Sequence, residues 1–472
     1  MGLSDVSNAA RTGLNAAKAN ISTTGHNIAN ANTEGFSRQR IHQEAIAPRK
    51  TTIKGDYIGR GVNFQPPERI NDEYIEKQVR GGARDLAHFE EKGLSLQHVE
   101  DIFNEMNGDG LNRLMSRLFN EFRKLSNDPN SQAVRESVRE ASKSVVNDFK
   151  RVHKELEESA HHIDSRITSH IKEVNELASQ IAELNSRIRV NEISKNVTAD
   201  LNDQRDVALK KLMQLTDITT TLDENDTVNV AIRGAGPLVT GVTAEKLHVD
   251  RTKENSEGKI ENALDIYADY KPAPLTNKMT GGKIGALLQV RDETISGAMK
   301  RLDELAFNLT RSINQIHRQG FTRNGAQGVN FFKDLPDAHR ASEFLEISDQ
   351  VLNSSDNIAA AAQANSPGDN RISIAISGLQ GLRLMDEGKT TFDDFYNGIV
   401  SDVGVLKSSN NASLNQQRNI NTQLTKMRDQ VSGVSMDEET ANLLQFQHAY
   451  DASAKVIQVA EKMLDSILEI MK

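Results

Sequence analysis

The chain has 472 residues with a formal net charge of −9, 37% hydrophobic and 4% aromatic residues, and no cysteine or tryptophan. Without cysteine there is no disulfide, zinc–thiolate site or cysteine nucleophile, and an acidic chain without a basic patch disfavours a nucleic-acid partner. The length exceeds what one core supports, so two to four domains are expected. Neither a membrane-spanning stretch nor a Sec-type signal is predicted, so export from the cytoplasm would need another route.

The first forty residues predict one amphipathic helix from Leu3 to about Thr23, followed by a turn in the Asn- and Gly-rich segment 24–36. Small or apolar residues recur along the helix in steps of three and four, which is typical of a helix that packs against another helix. Because this seam is rich in alanine, it buries little area, and the helix needs a neighbour for stability. The seam positions are Leu3, Ala10, Ala17, Leu14, Ile21 and Ile28.

The last thirty residues predict a second long helix with a cleaner heptad pattern. A second apolar ridge widens its face, which indicates more than one helical neighbour. The alternative is that the two terminal helices only close an ordinary helical domain. The first ridge is Phe446, Ala449, Ser453, Val456, Ala460, Met463, Ile467 and Ile470, and the second is Leu443, Tyr450, Ile457, Leu464, Leu468 and Met471.

Between the two ends, helical periodicity dominates and is interrupted by turn residues. The predicted helices of this part are 70–80, 83–106, 111–125, 131–190, 198–215, 284–318 and 391–430. Short strands or extended connectors are predicted at 36–67, and strands at 344–348 and 371–376.

From Ile218 the apolar period changes to two, which predicts strands at 218–222 and 228–232 joined by a hairpin turn at 223–226. Further short strands are predicted at 238–239, 247–249 and 263–267. The expected fold is therefore mainly α with a smaller β part: a coiled-coil-like inner domain of long terminal helices, a helical-bundle middle domain and a small β-rich insertion. The expected boundaries are 1–35 plus 434–472, 36–217 plus 283–433, and 218–282, respectively.

No catalytic, cofactor or metal site is predicted. A calcium loop centred on Gly110 would need a bidentate glutamate where Ser116 stands. The histidines of the 131–190 helix lack a paired i, i+4 arrangement and are expected to be solvated or at a boundary; they are His153, His161, His162 and His170. The segment 387–390 imitates the end of a phosphate loop, but Arg383 occupies the required upstream glycine position.

Several segments resemble bacterial flagellar proteins. Residues 27–38 read NIANANTEGFSR and residues 441–457 read ANLLQFQHAYDASAKVI, and both are similar to the terminal signatures of flagellar rod, hook and hook-associated proteins. The middle of the chain is similar to the family of hook-associated protein 1 (FlgK), in VEDIFNE at 99–105, LSNDP at 125–129, LNDQRD at 201–206 and INQIHRQG at 313–320. The β insertion is shorter than in larger members of that family, so an extra outer domain is not expected.

The resemblance implies a structural, non-enzymatic protein at the hook–filament junction, required for filament assembly and located outside the cell. It implies export through the flagellar type III apparatus without a cleaved signal, with a FlgN-type chaperone on the C-terminal helix. The implied partners are further copies in a tube or ring, the hook protein and hook-associated protein 3, with neither nucleic acid nor membrane insertion. The nearest alternative is another axial protein, of the hook protein or hook-associated protein 3 type.

Assembly residues are expected on the terminal helices and in the turn, where Gly35 suits a tight turn and Phe36 an anchor. They are Leu3, Leu14, Ile21, Asn27, Ile28, Asn30, Gly35, Phe36, Leu443, Phe446, Tyr450, Val456, Ile457, Met463, Leu464 and Ile467.

Overall fold

A computed structural model describes residues 3–50, 57–103, 110–194, 197–223, 226–251, 264–366 and 368–470. It is 68% helical, with 10% strand in small sheets, which confirms the predicted fold class. The helices are α1 (Leu3–Asn30), α2 (Glu73–Phe103), α3 (Leu111–Asn127), α4 (Gln132–Ile193), α5 (Ala199–Leu215), α6 (Gly282–Gln289), α7 (Ser296–His317), α8 (Ala341–Phe344), α9 (Asp349–Asn353), α10 (Arg371–Gly378), α11 (Phe392–Ser432) and α12 (Met436–Ile470).

Two groups of short antiparallel strands accompany the helices. The first follows α1 and pairs β1 with β6, β2 with β5 and β3 with β4. The second lies between α5 and α6 and contains a four-stranded sheet in the order β10-β9-β8-β7 and the pair β11-β12. The strands are β1 (Gln39–Arg40), β2 (Gln43–Ala45), β3 (Arg49–Lys50), β4 (Tyr57–Ile58), β5 (Val62–Phe64), β6 (Glu68–Arg69), β7 (Ile218–Leu222), β8 (Val228–Ile232), β9 (Gly236–Thr240), β10 (Thr243–Ala244), β11 (Leu247–Arg251) and β12 (Leu264–Ala268).

One continuous hydrophobic core joins most of the middle part of the chain. It includes the inner faces of α3 and α4, the helices α6 and α7, and the first turns of α11, from Phe392 to Val403. The alternating residues Val228, Val230 and Ile232 of β8 also belong to it. The predicted strands of the insertion are thus confirmed, and they share the core of the helices. The three domain boundaries stay predictions.

Two helices extend through residues that predicted breaks. The expected end of α1 near Thr23 is wrong, because the helix continues to Asn30. α2 likewise passes through Gly81 and Gly82 without interruption. A Cβ atom on Gly82 would lie 3.0 Å from Leu424 Cδ1 of α11. The cost of a helical glycine, about 1 kcal/mol, is therefore offset by close packing of the two helices.

The predicted helix 284–318 is present but contains a π-helical turn, Val290–Ile295, between α6 and α7. Arg291 in this turn is fully buried. Its Nη1 donates to Asp164 Oδ1 at 2.6 Å and to the Leu264 carbonyl at 2.9 Å. An extra residue in the helical turn lets this guanidinium reach partners on α4 and β12.

Two predicted strands, 344–348 and 371–376, are wrong. Residues 371–376 lie in α10, because Ile372 and Ile376 are four apart and both face the core, while Ile374 is 51% exposed. The same three residues also fit a period of two, which produced the error. In the other segment Phe344 ends α8, and Ile347 forms a single bridge with Phe332.

Candidate assembly site at the terminal helices

The two ends of the chain meet as a helix pair, α1 against α12. Small residues allow a close approach, since a Cβ atom on Gly13 would lie 3.3 Å from Ser453 Oγ. On α12, Ala460 is 2% exposed, and Phe446 and Ile457 are half-buried. The predicted contact between the first and last helices is therefore present within one chain.

The buried face of α1 matches the predicted seam only in part, at Ala17, which is 4% exposed. Leu14, Ile21 and Ile28 are only half-buried, and the side chain of Leu3 lies outside the described residues. Polar residues replace them because their side chains find partners: Asn20 Nδ2 donates to the Ala16 carbonyl at 2.8 Å. The buried residues of α1 are Ala16, Ala17, Asn20, Thr23, Thr24 and Asn27.

A row of apolar side chains on α12 is uncovered in the single chain. We call these residues the apolar face of α12: Tyr450, Val456, Val459, Met463, Leu464 and Ile467, which are between 36% and 53% exposed. Leu443 is half-buried, and the predicted ridge positions Leu468, Ile470 and Met471 have no described side chains. Exposed apolar side chains grouped along one helix make this face a candidate for a protein–protein contact.

Asn27 connects three elements at the end of α1. It is 2% exposed, and its Nδ2 donates to the Gln39 carbonyl at 2.9 Å and to Glu439 Oε2 at 3.0 Å. Its Oδ1 accepts from the Gln39 amide at 3.0 Å. One side chain thus ties α1 to β1 and to the first turn of α12, which explains why an asparagine is buried here.

Glu439 and Arg38 form the charged part of the same connection. Glu439 is 2% exposed, and its Oε1 accepts from Arg38 Nε at 2.9 Å and Nη2 at 2.8 Å. Arg38 Nη1 also reaches the exposed Glu438 at 3.0 Å. The buried carboxylate is therefore satisfied by a guanidinium and an amide.

The chain turns sharply between α1 and β1, in a segment we call the elbow (residues 31–40). Gly35 has φ +79°, and a Cβ atom on it would lie 2.1 Å from Val207 Cγ2 of α5. Phe36 is buried, with its ring edge-on to His26 at 5.5 Å. Arg428 Nη2 donates to the carbonyls of Gly35 and Phe36 at 3.2 and 3.0 Å. The elbow is thereby fastened to α5 and α11.

Asp203 of α5 holds the other side of the elbow. Its Oδ2 accepts from the Ser37 amide at 3.1 Å and its Oδ1 from Arg69 Nη1 at 2.9 Å. Burial raises the pKa of Asp203, while Arg69 and the Ser37 amide act in the opposite direction. Arg69 also binds Asp206 at 2.7 Å. Elbow, β6 and α5 therefore share one buried polar network.

The predicted site residues are only partly brought together. Asn27, Gly35 and Phe36 meet at the elbow, whereas Asn30 donates to the His26 carbonyl at 3.0 Å within α1. The partners Arg38, Asp203, Arg428 and Glu439 were not predicted. Residues 1–40 carry four Lys/Arg against two Asp/Glu, and residues 431–472 carry three Lys against seven Asp/Glu. This opposite charge of the two ends is a weak signal for the pair Arg38 and Glu439.

A serine–histidine–aspartate cluster lies elsewhere in the core. Ser342 Oγ donates to Asp303 Oδ1 and is 2.8 Å from His153 Nδ1. Ser342 is 0% exposed. The same ring nitrogen of His153, Nδ1, faces both the serine and, at 3.6 Å, Asp303 Oδ1, so the histidine does not link the two and the cluster lacks the arrangement that activates a nucleophile. The expectation of a solvated or boundary His153 is wrong, because that side chain is 2% exposed. His161, His162 and His170 are exposed or half-buried, as predicted.

Neither a metal cluster nor a membrane-spanning helix is found in the described parts of the chain. Across those ranges, no three His, Asp or Glu side chains are grouped so that they could hold a metal ion. No helix described there is long and apolar enough to cross a bilayer. In the calcium loop that would place Gly110 at its sixth position, the first, third and fifth positions are Glu105, Asn107 and Asp109, which lie outside the described residues.

Family models match three parts of the chain. Residues 96–332, about half of the chain, match the flagellar hook-associated protein FlgK helical domain. The chain belongs to the FlgK family. Residues 8–36 match the flagella basal body rod protein family, and residues 429–470 match the C-terminal part of the basal body rod FlgEFG proteins. These two segments coincide with α1 plus part of the elbow, and with α12.

Similar proteins agree with this assignment over nearly the whole chain. Flagellar hook-associated protein 1 of Bacillus subtilis (strain 168) is 27% identical over 98% of this chain and 97% of its own length. The protein of that name from Salmonella typhimurium is 25% identical over 99% and 100%, respectively. The flagellar hook junction protein FlgK of Burkholderia pseudomallei has the same fold, with a TM-score of 0.66 at 14% identity, covering 76% of this chain and 100% of that chain.

As a member of the FlgK family, the protein is a structural hook-associated protein of the bacterial flagellum. The predicted family and function are confirmed, and the comparisons favour them over the alternative of a hook protein or hook-associated protein 3. Its association within the flagellar assembly follows from the same membership.

Proposed function

We propose that copies of the protein join hook and filament by packing their α1–α12 pairs side by side in a tube or ring. The apolar face of α12 carries this proposal, because apolar side chains stay uncovered along several turns of the helix. Leu14, Ile21 and Ile28 of α1 add half-buried apolar surface. Burying both sets between neighbouring copies would contribute the largest favourable term in association.

The elbow determines how the helix pair is joined to the rest of the protein. Asn27, Arg38 and Glu439 fix both terminal helices to β1, and Asp203 with Arg428 fixes the elbow to α5 and α11. We expect this network to set the direction of the helix pair, so that neighbouring copies present matching surfaces.

The partners beyond other copies are the hook protein on one side and hook-associated protein 3 on the other. Before assembly, the exposed apolar face of α12 needs cover in the cytoplasm, which a FlgN-type chaperone would supply. Export through the flagellar type III apparatus, without a cleaved signal peptide, follows from the same proposal. Because little apolar area is buried between α1 and α12, the two helices would separate easily for export and fold together again on assembly.

The test is a strain that lacks the gene, complemented with the full chain or with a chain lacking residues 446–472. Electron microscopy of the cell surface and an assay of flagellin in the medium are the two readouts. In cells without the gene, and in cells with the truncated chain, we expect hooks without filaments and flagellin released into the medium. In cells with the full chain we expect filaments. Absent hooks would move the protein to the rod or hook, and filaments on the truncated chain would refute the role of the helix pair.

A further inference from the structure

Three arginine side chains, Arg69, Arg80 and Arg205, line a cavity of about 210 Å³ beside the elbow. β6, α2 and α5 contribute one arginine each, and the end of β7 closes the fourth side. Arg205 belongs to the LNDQRD segment at 201–206, and the role proposed for the terminal helices does not involve it.

Two of these guanidinium groups have unused donors. Arg80 is 8% exposed and Arg205 is 5% exposed. The Nε–H group of each is buried and has no hydrogen-bond partner among the described residues. Buried donors are normally paired, so these two groups indicate a ligand that offers acceptor oxygens.

Four carboxylates, from Glu73, Glu76, Asp206 and Asp226, line the cavity beside the three guanidinium groups, but direct ion pairs neutralise the arginines unequally. Arg69 takes both Asp203 and Asp206 as direct partners, at 2.9 and 2.7 Å, while the nearest Asp206 oxygen is 3.6 Å from Arg80. Arg205 Nη1 donates to the Asp226 carbonyl at 2.7 Å and to Asn185 Oδ1 at 3.3 Å, which are both uncharged acceptors.

The other acidic groups at the cavity do not neutralise Arg205. Glu76 binds Arg428 at 3.1 Å, Glu73 is exposed and Asp226 is half-buried. Burial lowers the pKa of Arg205, and Arg69 and Arg80 lower it further, against the opposing effect of Asp206 and Asp226. A buried cation of this kind is stabilised by an anion in direct contact.

We propose that the cavity is an oxyanion-binding site, in which the Nε–H groups of Arg80 and Arg205 donate to a carboxylate or a phosphate-type oxygen. The oxyanion comes from one of two sources: a free inorganic anion, or an aspartate or glutamate side chain of a neighbouring copy. Arginine suits either source, because its planar group donates to two oxygens at once.

The test is equilibrium dialysis of the full chain with radiolabelled inorganic phosphate at constant ionic strength. We expect saturable binding of one phosphate per chain, weakened about tenfold or more in Arg80→Lys and in Arg205→Lys, since lysine keeps the charge but loses the Nε–H donor. Arg323→Lys is the matched control, because Arg323 lies in an exposed ion pair with Asp356. Circular dichroism checks that each variant is folded. If Arg205→Lys does not fold, the phosphate binding of Arg80→Lys alone decides the test.

Sedimentation of concentrated wild-type protein, with and without phosphate, then separates the two sources. Phosphate that binds without changing self-association indicates a free anion, and phosphate that disperses oligomers indicates a carboxylate of a neighbouring copy. No saturable binding, or equal binding by the wild type and both lysine variants, would overturn the proposal. Neither result depends on whether the terminal helices build the junction.

Discussion

Asn27 and Glu439 are 412 positions apart in the chain, and their side chains are joined by a hydrogen bond of 3.0 Å. The contact places the end of the first helix on the first turn of the last one. Arg38 completes the connection from the elbow. These three side chains set the register of α1 against α12 through directional bonds, which the small residues between the helices could not do.

The first prediction concerns this connection. Glu439→Ala leaves Arg38 and Asn27 without their acceptor, and we expect a loss of about 3 kcal/mol in the stability of the helix pair, the range found when one partner of a buried ion pair is removed. Hydrogen exchange of amides in α1 and α12 measures the change. Glu438→Ala is the matched control, because its carboxylate is 63% exposed and is expected to contribute under about 1 kcal/mol. Equal effects of the two variants would contradict the assignment.

The second prediction compares two glycines. Gly35→Ala should destabilise the protein by about 1–3 kcal/mol, because its φ is unfavourable for alanine and the new Cβ would collide with Val207. Gly81→Ala should instead stabilise by about 0.5–1 kcal/mol, since it lies inside α2 with no atom within 4 Å of the added Cβ. Denaturant unfolding of both variants gives the two signs. Adding Val207→Ala to Gly35→Ala should recover part of the loss.

The third prediction is a pH dependence caused by His317. Its Nδ1 donates to the Val329 carbonyl at 2.5 Å, and its Nε2 accepts from the Ala359 amide at 2.8 Å, so the buried ring is neutral. Burial, aided by the charge of Arg135, lowers its pKa to about 4. In the unfolded chain the pKa of a histidine is near 6.5, so between pH 6.5 and pH 4 the unfolded chain takes up a proton that the folded protein does not. The stabilisation is therefore complete above pH 6.5, and about 3 kcal/mol of it is lost as the pH falls to about 4.

Denaturant unfolding at pH 7 and pH 4.5 checks this expectation. The wild type should lose stability between the two values, and the part due to His317 should be missing in His317→Gln, which cannot take up a proton. An identical pH dependence in both proteins would show that other groups cause the acid sensitivity.

The fourth prediction separates assembly from folding. Met463→Asn places an amide in the apolar face of α12, where the side chain is 53% exposed in the single chain. We expect unchanged unfolding of the isolated protein and reduced filament formation in complemented cells. Lys462→Asn, at the neighbouring exposed position, should support normal filaments. Normal filaments with both variants would argue against packing of this face in the flagellum.

Periodicity predicts a long helix well where an uninterrupted apolar row faces the core, as in α4. α4 was expected at 131–190 and runs from Gln132 to Ile193. Short elements failed where two periods fit the same residues, as in Ile372, Ile374 and Ile376. Glycine inside a helix also wrongly predicted the end of that helix where another helix packs closely against it, as Leu424 of α11 packs against Gly82.

The candidate site was harder to predict than the fold. The heptad pattern located both terminal helices, but of the α1 seam it predicts, Ala17 is buried while Leu14, Ile21 and Ile28 are half-buried. Four of the six buried positions of α1 are polar. Asn20 is paired with the Ala16 carbonyl one turn earlier, whereas Asn27 needs Glu439, which the sequence does not place nearby. Arg38 and Glu439 were missed for the same reason, since opposite charges at the two chain ends do not specify a pair.

The small and polar face that α1 presents to the interior has a consequence for how copies recognise each other. Alanine, threonine and asparagine bury little apolar area, so separating α1 from α12 in one chain exposes little further apolar surface. The larger apolar surface lies on the outside of the pair, on α12. Separating the two ends therefore adds little to the apolar surface that a lone copy exposes, and the apolar face of α12 is open to neighbouring copies in either state.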